Sequence, residues 1–99
     1  MQFEDIEKLV IQWGIDRDLY SKSNIFLQNL KLIEEFNELQ LAIARNNKDT
    51  VDAIGDMLVV LTHIAAMKGV NLTSCYTFAY NQIKNRKGKM VNGVFVKEG

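Results

Sequence analysis

The sequence predicts an all-α fold, a four-helix bundle that ends in a short C-terminal hairpin or extended tail. The 99 residues contain no proline, which permits long uninterrupted helices. Apolar residues recur at helical spacing through most of the chain, between short polar turns. Near the C-terminus, Asn92-Gly93 lies between β-branched and apolar residues, which is a strong hairpin signal. The length fits one domain, residues 1–99.

The first predicted helix covers residues 3–13, where Phe3, Ile6 and Val10 recur on one face. Gly14 ends or loosens this helix. Residues 16–24 are polar and show no period, so we expect a loop there.

The second predicted helix covers residues 25–46 and is capped by Ser23 or Asn24. It is unbroken by glycine and rich in good helix formers. A short turn leads to the third predicted helix, residues 49–68, and Gly69 lies where a C-terminal glycine is expected.

The fourth predicted helix begins after its cap, Asn71, and continues to about residue 86, where Gly88 stops it. The tail that follows carries the hairpin signal. Because an isolated hairpin is marginally stable in water, we expect the tail to lie on the helices or on another subunit.

Composition excludes several classes of protein. Twelve basic and twelve acidic residues give a net charge of zero, which argues against a general nucleic-acid binder. One cysteine and one histidine exclude domains held together by disulfides or by zinc. No apolar run reaches the roughly 18 residues of a membrane span. We therefore expect a cytoplasmic protein that binds neither nucleic acid nor a membrane. Since 47% of so small a chain is hydrophobic, we also expect a homodimer or homotetramer.

An acidic stripe lies on the second predicted helix. Its members are spaced three and four residues apart on one face: Lys31, Glu34, Glu35 and Glu38. Apolar residues flank the stripe on both sides, which indicates that the carboxylates face a cleft rather than open solvent. Close carboxylates repel one another, so basic partners or a cation must offset them.

The third predicted helix adds Asp52 and Asp56 on one face. The short turn makes the two helices antiparallel, which brings both acidic sets to the same level. Four or five carboxylates would then converge, and such oxygen ligands suit Mg²⁺ or Mn²⁺. The alternative is an ordinary solvated charge cluster, in a helical interaction protein that uses the stripe as a docking face.

Two acidic segments, E-E-F-N-E at residues 34–38 and D-A-I-G-D at residues 52–56, resemble a known family pattern. E-E-x-x-E on one helix and E-x-x-D on the next are typical of the MazG-like all-α nucleoside triphosphate pyrophosphohydrolases. Residues 79–88 resemble the last helix of that family, and residues 90–97 resemble the tail of its short stand-alone members. The resemblance extends over roughly the whole chain.

The resemblance implies Mg²⁺-dependent hydrolysis of a (d)NTP to the (d)NMP and pyrophosphate. It implies catalytic roles for Glu34, Glu35 and Glu38, with Glu34 as a further ligand or the group that orients the attacking water. The implied metal ligands are Glu35, Glu38 and Asp56, with Asp52 as a further candidate ligand beside them, and the implied substrate-binding residues are Lys31, Asn81 and Lys84.

The chain departs from the family pattern at position 53, where Ala53 stands in place of a glutamate. Three alternatives follow from this difference. Asp52 takes over as the ligand, the site holds fewer metal ions, or the chain is a non-catalytic module that binds or senses nucleotides.

Overall fold

A computed structural model describes residues 1–46 and 48–99, which form five helices and a two-stranded antiparallel hairpin. The all-α character and the hairpin are therefore confirmed. In chain order the elements are α1 (Phe3–Asp16), α2 (Leu19–Lys22), α3 (Ile25–Arg45), α4 (Asp49–Met67), α5 (Leu72–Ile83), β1 (Gly88–Val91) and β2 (Val94–Lys97).

Helix α4 is the centre of the fold, because α1, α3 and α5 all pack against it. The α3–α4 pair has the most extensive contact, as the short turn between them predicts. In the described part of the chain, the buried apolar residues are all small or medium in size: Ala42, Ala53, Val60 and Ala65. The helices therefore meet through small side chains, and most large apolar residues remain exposed.

The helix caps follow the sequence. The side chain of Asn24 accepts a hydrogen bond from the Leu27 amide at 2.9 Å, and Asn71 accepts one from the Ser74 amide at 2.7 Å. Both side chains satisfy amides that the first turn of a helix leaves without a partner. The sequence therefore located the starts of α3 and α5 correctly.

The prediction that Gly14 ends the first helix was wrong, since α1 continues to Asp16. Gly14 is buried, and a Cβ atom there would lie 3.0 Å from the Tyr20 ring and 3.1 Å from the His63 ring. The glycine therefore permits close packing and does not terminate the helix. The expected loop also contains α2, which follows Asp18 in a left-handed conformation (φ 61°).

The fourth predicted helix was too long, because α5 ends at Ile83. Gly88, expected to stop it, is the first residue of β1. A Cβ atom at Gly88 would lie 2.6 Å from the Phe95 ring, so the aromatic ring covers the glycine within the hairpin. Asn92 and Gly93 both have positive φ (51° and 82°), as a two-residue hairpin turn of type I′ requires.

His63 is the most deeply buried large side chain, with 2% of its surface exposed. Its Nδ1 lies 2.7 Å from the Tyr20 hydroxyl, and its ring stacks on Trp13 with centroids 6.0 Å apart. Trp13 itself is half exposed, and Arg17 lies 4.4 Å above its ring. This cluster fastens α1 and α2 to α4.

Glu7 is a buried carboxylate that fastens α5 to α1. Its Oε1 accepts hydrogen bonds from the amides of Leu72 and Thr73, and its Oε2 accepts one from the Thr73 hydroxyl at 2.8 Å. A carboxylate at this point satisfies free amides and complements the positive end of the helix dipole.

The single chain exposes an unusually large surface. Its accessible area is 7761 Å², whereas a folded monomer of this mass exposes about 5,700 Å². Its radius of gyration is 16.0 Å, against about 13 Å for a compact domain of this length. The excess, roughly 2,000 Å², is rich in large apolar side chains from the helices and the hairpin.

One helix in the described part of the chain, α4, is long and apolar enough by composition to cross a membrane, with a mean hydropathy of 1.5. Core helices of soluble proteins share these properties, so the observation is weak evidence for a membrane span.

Replacing Glu7 with alanine is expected to lower the free energy of unfolding by about 1–3 kcal/mol, because three donors at the start of α5 lose their acceptor. Urea denaturation followed by circular dichroism measures the change. Glu4→Ala, an exposed acid one turn earlier, is expected to change stability by less than about 0.5 kcal/mol. Equal losses for both variants would contradict a capping role for Glu7.

Burial lowers the pKa of His63 from its ordinary value of 6.5. The unfolded chain therefore binds a proton more readily than the folded chain, so the free energy of unfolding falls as the pH drops below about 6.5. Urea midpoints measured between pH 7.5 and pH 5.5 are expected to decrease, and His63→Gln is expected to flatten this decrease. The same pH slope in both proteins would refute the assignment to His63.

Candidate functional site

The acidic stripe of α3 is held together by Lys31. Its Nζ lies 3.3 Å from Glu34 Oε2 and 3.3 Å from Glu35 Oε1. Hydrogen bonds to Glu35 and then to Glu34 raise the pKa of Lys31. The Glu35 side chain is only 12% exposed, whereas that of Glu34 is 62% exposed. Glu35 thus faces the interior of the cluster and Glu34 faces solvent.

Asp56, on α4, interacts electrostatically with the acidic stripe of α3. Burial raises its pKa, and the negative charges of Asp52 and Glu35 raise it further, while Lys31 acts in the opposite direction. Carboxylates from the two antiparallel helices therefore interact electrostatically. The structure brings Glu35, Asp52 and Asp56 into one negative region. The antiparallel packing of α3 and α4 predicts this proximity.

The expected convergence of four or five carboxylates on one point is not reached. Among the described residues, no group of three or more Asp, Glu, His or Cys side chains is close enough to hold a metal ion. Two features accompany the difference: Lys31 pairs with both Glu34 and Glu35 on α3, and Glu38 and Asp52 are exposed.

The donor chemistry of the cluster nevertheless fits Mg²⁺. This ion is commonly bound by one or two carboxylates together with substrate phosphates and water, rather than by a complete protein cage. Glu35 and Asp56 are carboxylates on facing helices that affect each other electrostatically. Burial is the main cause of the raised pKa of Asp56, and the negative charges of Asp52 and Glu35 add to it.

Ala53, at the position of the missing family glutamate, is 5% exposed. A glutamate there would bring a carboxylate into a tightly packed part of α4, at a cost unless a cation or hydrogen bonds compensated it. Asp52, one residue earlier, is exposed and close enough to affect Asp56. The replacement of the missing glutamate by Asp52 stays a prediction.

The structure also reveals a groove that sequence reasoning missed. We define the α1–α4 groove as two adjoining cavities of about 440 and 450 Å³, both lined by Ile6, Val10, Asp56 and Val59. Asp52 also lines the first cavity. The apolar stripe of α1 was visible in the sequence, but its position beside the aspartates depends on long-range packing.

Asn81 and Lys84, predicted to contact substrate, are exposed near the end of α5. Within residues 1–46 and 48–99, no hydrogen bond or ion pair joins either side chain to the acidic residues of α3 and α4. Their contact with phosphate or sugar stays a prediction.

The chain is similar to one curated protein, described as an uncharacterized 18.2 kDa protein in the rep-hol intergenic region of Haemophilus phage HP1 (strain HP1c1). The two are 36% identical over 69 residues, which cover 69% of this chain and 42% of the relative. The chain therefore spans less than half the length of that relative. No known family model matches the chain, and no solved structure matches it.

Asp56→Asn is expected to raise the melting temperature of the metal-free protein at pH 7 by roughly 2 °C, the shift that a few tenths of a kcal/mol produces. The pKa of Asp56 is raised in the folded chain, so the protonated carboxyl favours the folded state. This contribution to stability is complete below pH 3.8 and is lost as the pH rises through the pKa of the folded chain. The ionised side chain therefore costs stability at pH 7, and asparagine removes that cost.

Thermal melting with Mg²⁺ completes this test. Wild type is expected to gain about 1.4 kcal/mol when Mg²⁺ reaches ten times its dissociation constant. Asp56→Asn is expected to lose this gain and Glu4→Gln to retain it. An equal Mg²⁺ effect on all three proteins would rule out a metal site at Asp56.

Proposed function

We propose that this protein is a Mg²⁺-dependent nucleoside triphosphate pyrophosphohydrolase of the MazG-like type, which acts in the cytoplasm. It would cleave a (d)NTP to the (d)NMP and pyrophosphate. One observation carries the proposal: Glu35 on α3 and Asp56 on α4 interact across the helix pair, and the repulsion contributes to the raised pKa of Asp56. The order and spacing of the acidic residues along the chain support the same assignment.

Glu35 and Asp56 would hold Mg²⁺, with Glu38 and Asp52 as further ligands after rotation of their exposed side chains. When bound, the ion would neutralise the phosphate oxygens and lower the barrier to attack by water. Mn²⁺ accepts the same oxygen ligands.

The remaining groups would position the triphosphate and the water. Lys31 already lies beside two carboxylates, so its ammonium group can exchange them for phosphate oxygens when nucleotide binds. Glu34, the more exposed of these two, would orient the attacking water. Asn81 and Lys84 would contact phosphate or sugar. Positioning and charge neutralisation dominate catalysis of this reaction class.

A second copy of the chain is part of the proposal. The single chain exposes roughly 2,000 Å² more than a compact monomer of its mass. Two chains that covered this excess would bury about 4,000 Å² in total, within the range of obligate homodimers. The active form would thus be a homodimer or a homotetramer.

The alternative function is a non-catalytic module of the same fold that binds or senses nucleotides. Burial of Ala53 favours it, since the position of the missing ligand is filled by packing. The limited clustering of carboxylates in the described residues points the same way. The two functions differ in one observable, the release of product.

Purified protein with Mg²⁺ is expected to release pyrophosphate from at least one member of a panel of canonical and modified (d)NTPs. Glu35→Gln and Glu38→Gln are each expected to lower kcat by about 10²–10³-fold, typical for loss of one group that stabilises developing charge. A coupled pyrophosphate assay measures the rates, and Glu4→Gln is the matched control on another helix.

Calorimetry with the same panel separates the two functions. Binding of a Mg²⁺–nucleotide without any turnover would establish the non-catalytic module. Absence of both binding and turnover with Mg²⁺ and with Mn²⁺ would eliminate every nucleotide function and leave an interaction protein.

A further inference from the structure

The C-terminal hairpin lacks a packing partner in the single chain. Every residue of β1 and β2 is exposed, and the extensive contacts between other elements all join helices to helices. Two short strands alone are marginally stable in water, and independent stability requires a further layer. The exposed apolar side chains of the hairpin indicate where that layer packs.

The two faces of the hairpin differ. On one face, the Phe95 ring already covers the backbone of Gly88. On the other face, the register pairs Val91 with Val94 and Lys89 with Val96, so three valines lie together. We define the valine face as Val91, Val94 and Val96, of which Val94 is 64% exposed. Nothing inside the hairpin covers the valine face.

The α1–α4 groove is a second uncovered apolar surface of the single chain. Its lining is mainly apolar, and Gly55 of α4 forms part of its wall. A Cβ atom at Gly55 would meet nothing within 4 Å in the single chain. A glycine inside a helix weakens that helix relative to alanine, and its benefit is to let another backbone approach closely. Gly55 therefore leaves room for close approach by a group from outside the chain.

The distribution of charge along the chain indicates which group from outside would bind in the groove. Helices α1 and α4 together carry seven acidic residues and one lysine, whereas residues 84–97 carry five basic residues and no acid. Two hairpins packed on each other would bring their lysines together, at an electrostatic cost. Docking a hairpin into the α1–α4 groove would bring its lysines towards Asp52 and Asp56, the acidic residues of the groove that are not bonded to α5.

We propose that the hairpin of one chain docks through its valine face into the α1–α4 groove of a second copy. In the single chain the hairpin does not cover this groove, since every residue of β1 and β2 is exposed and the extensive contacts of the two strands are with each other. In the dimer, the hairpin of each chain packs against helices of the other chain, and each groove is covered by the hairpin of the other chain. Basic residues of one chain thereby reach the edge of the other chain's Asp52–Asp56 region.

This inference rests on the homo-oligomer in the proposed function and is independent of catalysis. Light scattering comes first, and a mass equal to one chain at micromolar concentration would overturn both the oligomer and the docking. A mass of two or more chains leaves the docking to be decided by cross-linking.

Cross-linking uses two full-length variants in a Cys75→Ser background, which removes the exposed native cysteine. One carries Val94→Cys on the hairpin, and the other carries Val51→Cys, an exposed residue of the groove. Mixed under mild oxidation, the two are expected to form a disulfide between chains. Ile54→Cys, on α4 outside the groove lining, replaces Val51→Cys as the control and is expected to give at least fivefold less product.

Equal yields from the groove and control cysteines would overturn the proposal. It would also be overturned if a single chain with both Val94→Cys and Val51→Cys formed only an intramolecular disulfide. Gly55→Ala gives an independent result: with a docked hairpin the melting temperature falls and cross-linking decreases several-fold. If no hairpin docks in the groove, Gly55→Ala raises the melting temperature, because alanine has a better helix propensity than glycine.

Discussion

Helix α4 has to satisfy two opposing physical demands, and the rest of the structure depends on how it does so. It is the helix against which α1, α3 and α5 all pack, and it supplies most of the buried residues in the described part of the chain. Its first half nevertheless carries three aspartates and no base. The two demands are met in different parts of the helix. The half towards Met67 packs through apolar side chains and His63, and the half towards Asp49 carries the acidic residues. The candidate site lies where the acidic half meets α3.

Local signals in the sequence were sufficient for most of the secondary structure. Asn24 and Asn71 marked helix starts because capping depends on residues three positions apart, and Asn92-Gly93 marked the hairpin because its turn requires positive φ. Gly14 was misinterpreted for a physical reason. The sequence around Gly14 does not tell a glycine that ends a helix from a glycine that admits neighbouring rings. Only the approach of the Tyr20 and His63 rings, the second from 49 positions away, distinguishes them.

For the candidate site, too, the sequence predicts the features that depend on local spacing and not those that depend on long-range packing. The facing of Glu35 and Asp56 follows from helix periodicity and one short turn, so the sequence predicts it. The roles of Glu7 and the α1–α4 groove do not follow, because they depend on where α1 and α5 dock on the helix pair. The zero net charge was also a poor guide. It averages an acidic surface on α1 and α4 and a basic segment after α5, which would attract each other in the proposed dimer.

Ala53 has a further electrostatic consequence for the proposed activity. A glutamate at position 53 would add a charge beside Asp56, whose pKa burial, Asp52 and Glu35 already raise. Without that glutamate, the metal-free cluster is less strained by repulsion, and Lys31 balances part of what remains. The same absence weakens the attraction for a free divalent ion, because fewer negative charges surround it. A site of this kind gains further affinity when the ion arrives with a triphosphate, whose oxygens supply the missing ligands. On the proposed function, loss of the glutamate therefore raises the dissociation constant for the free ion, and bound nucleotide restores part of the lost affinity.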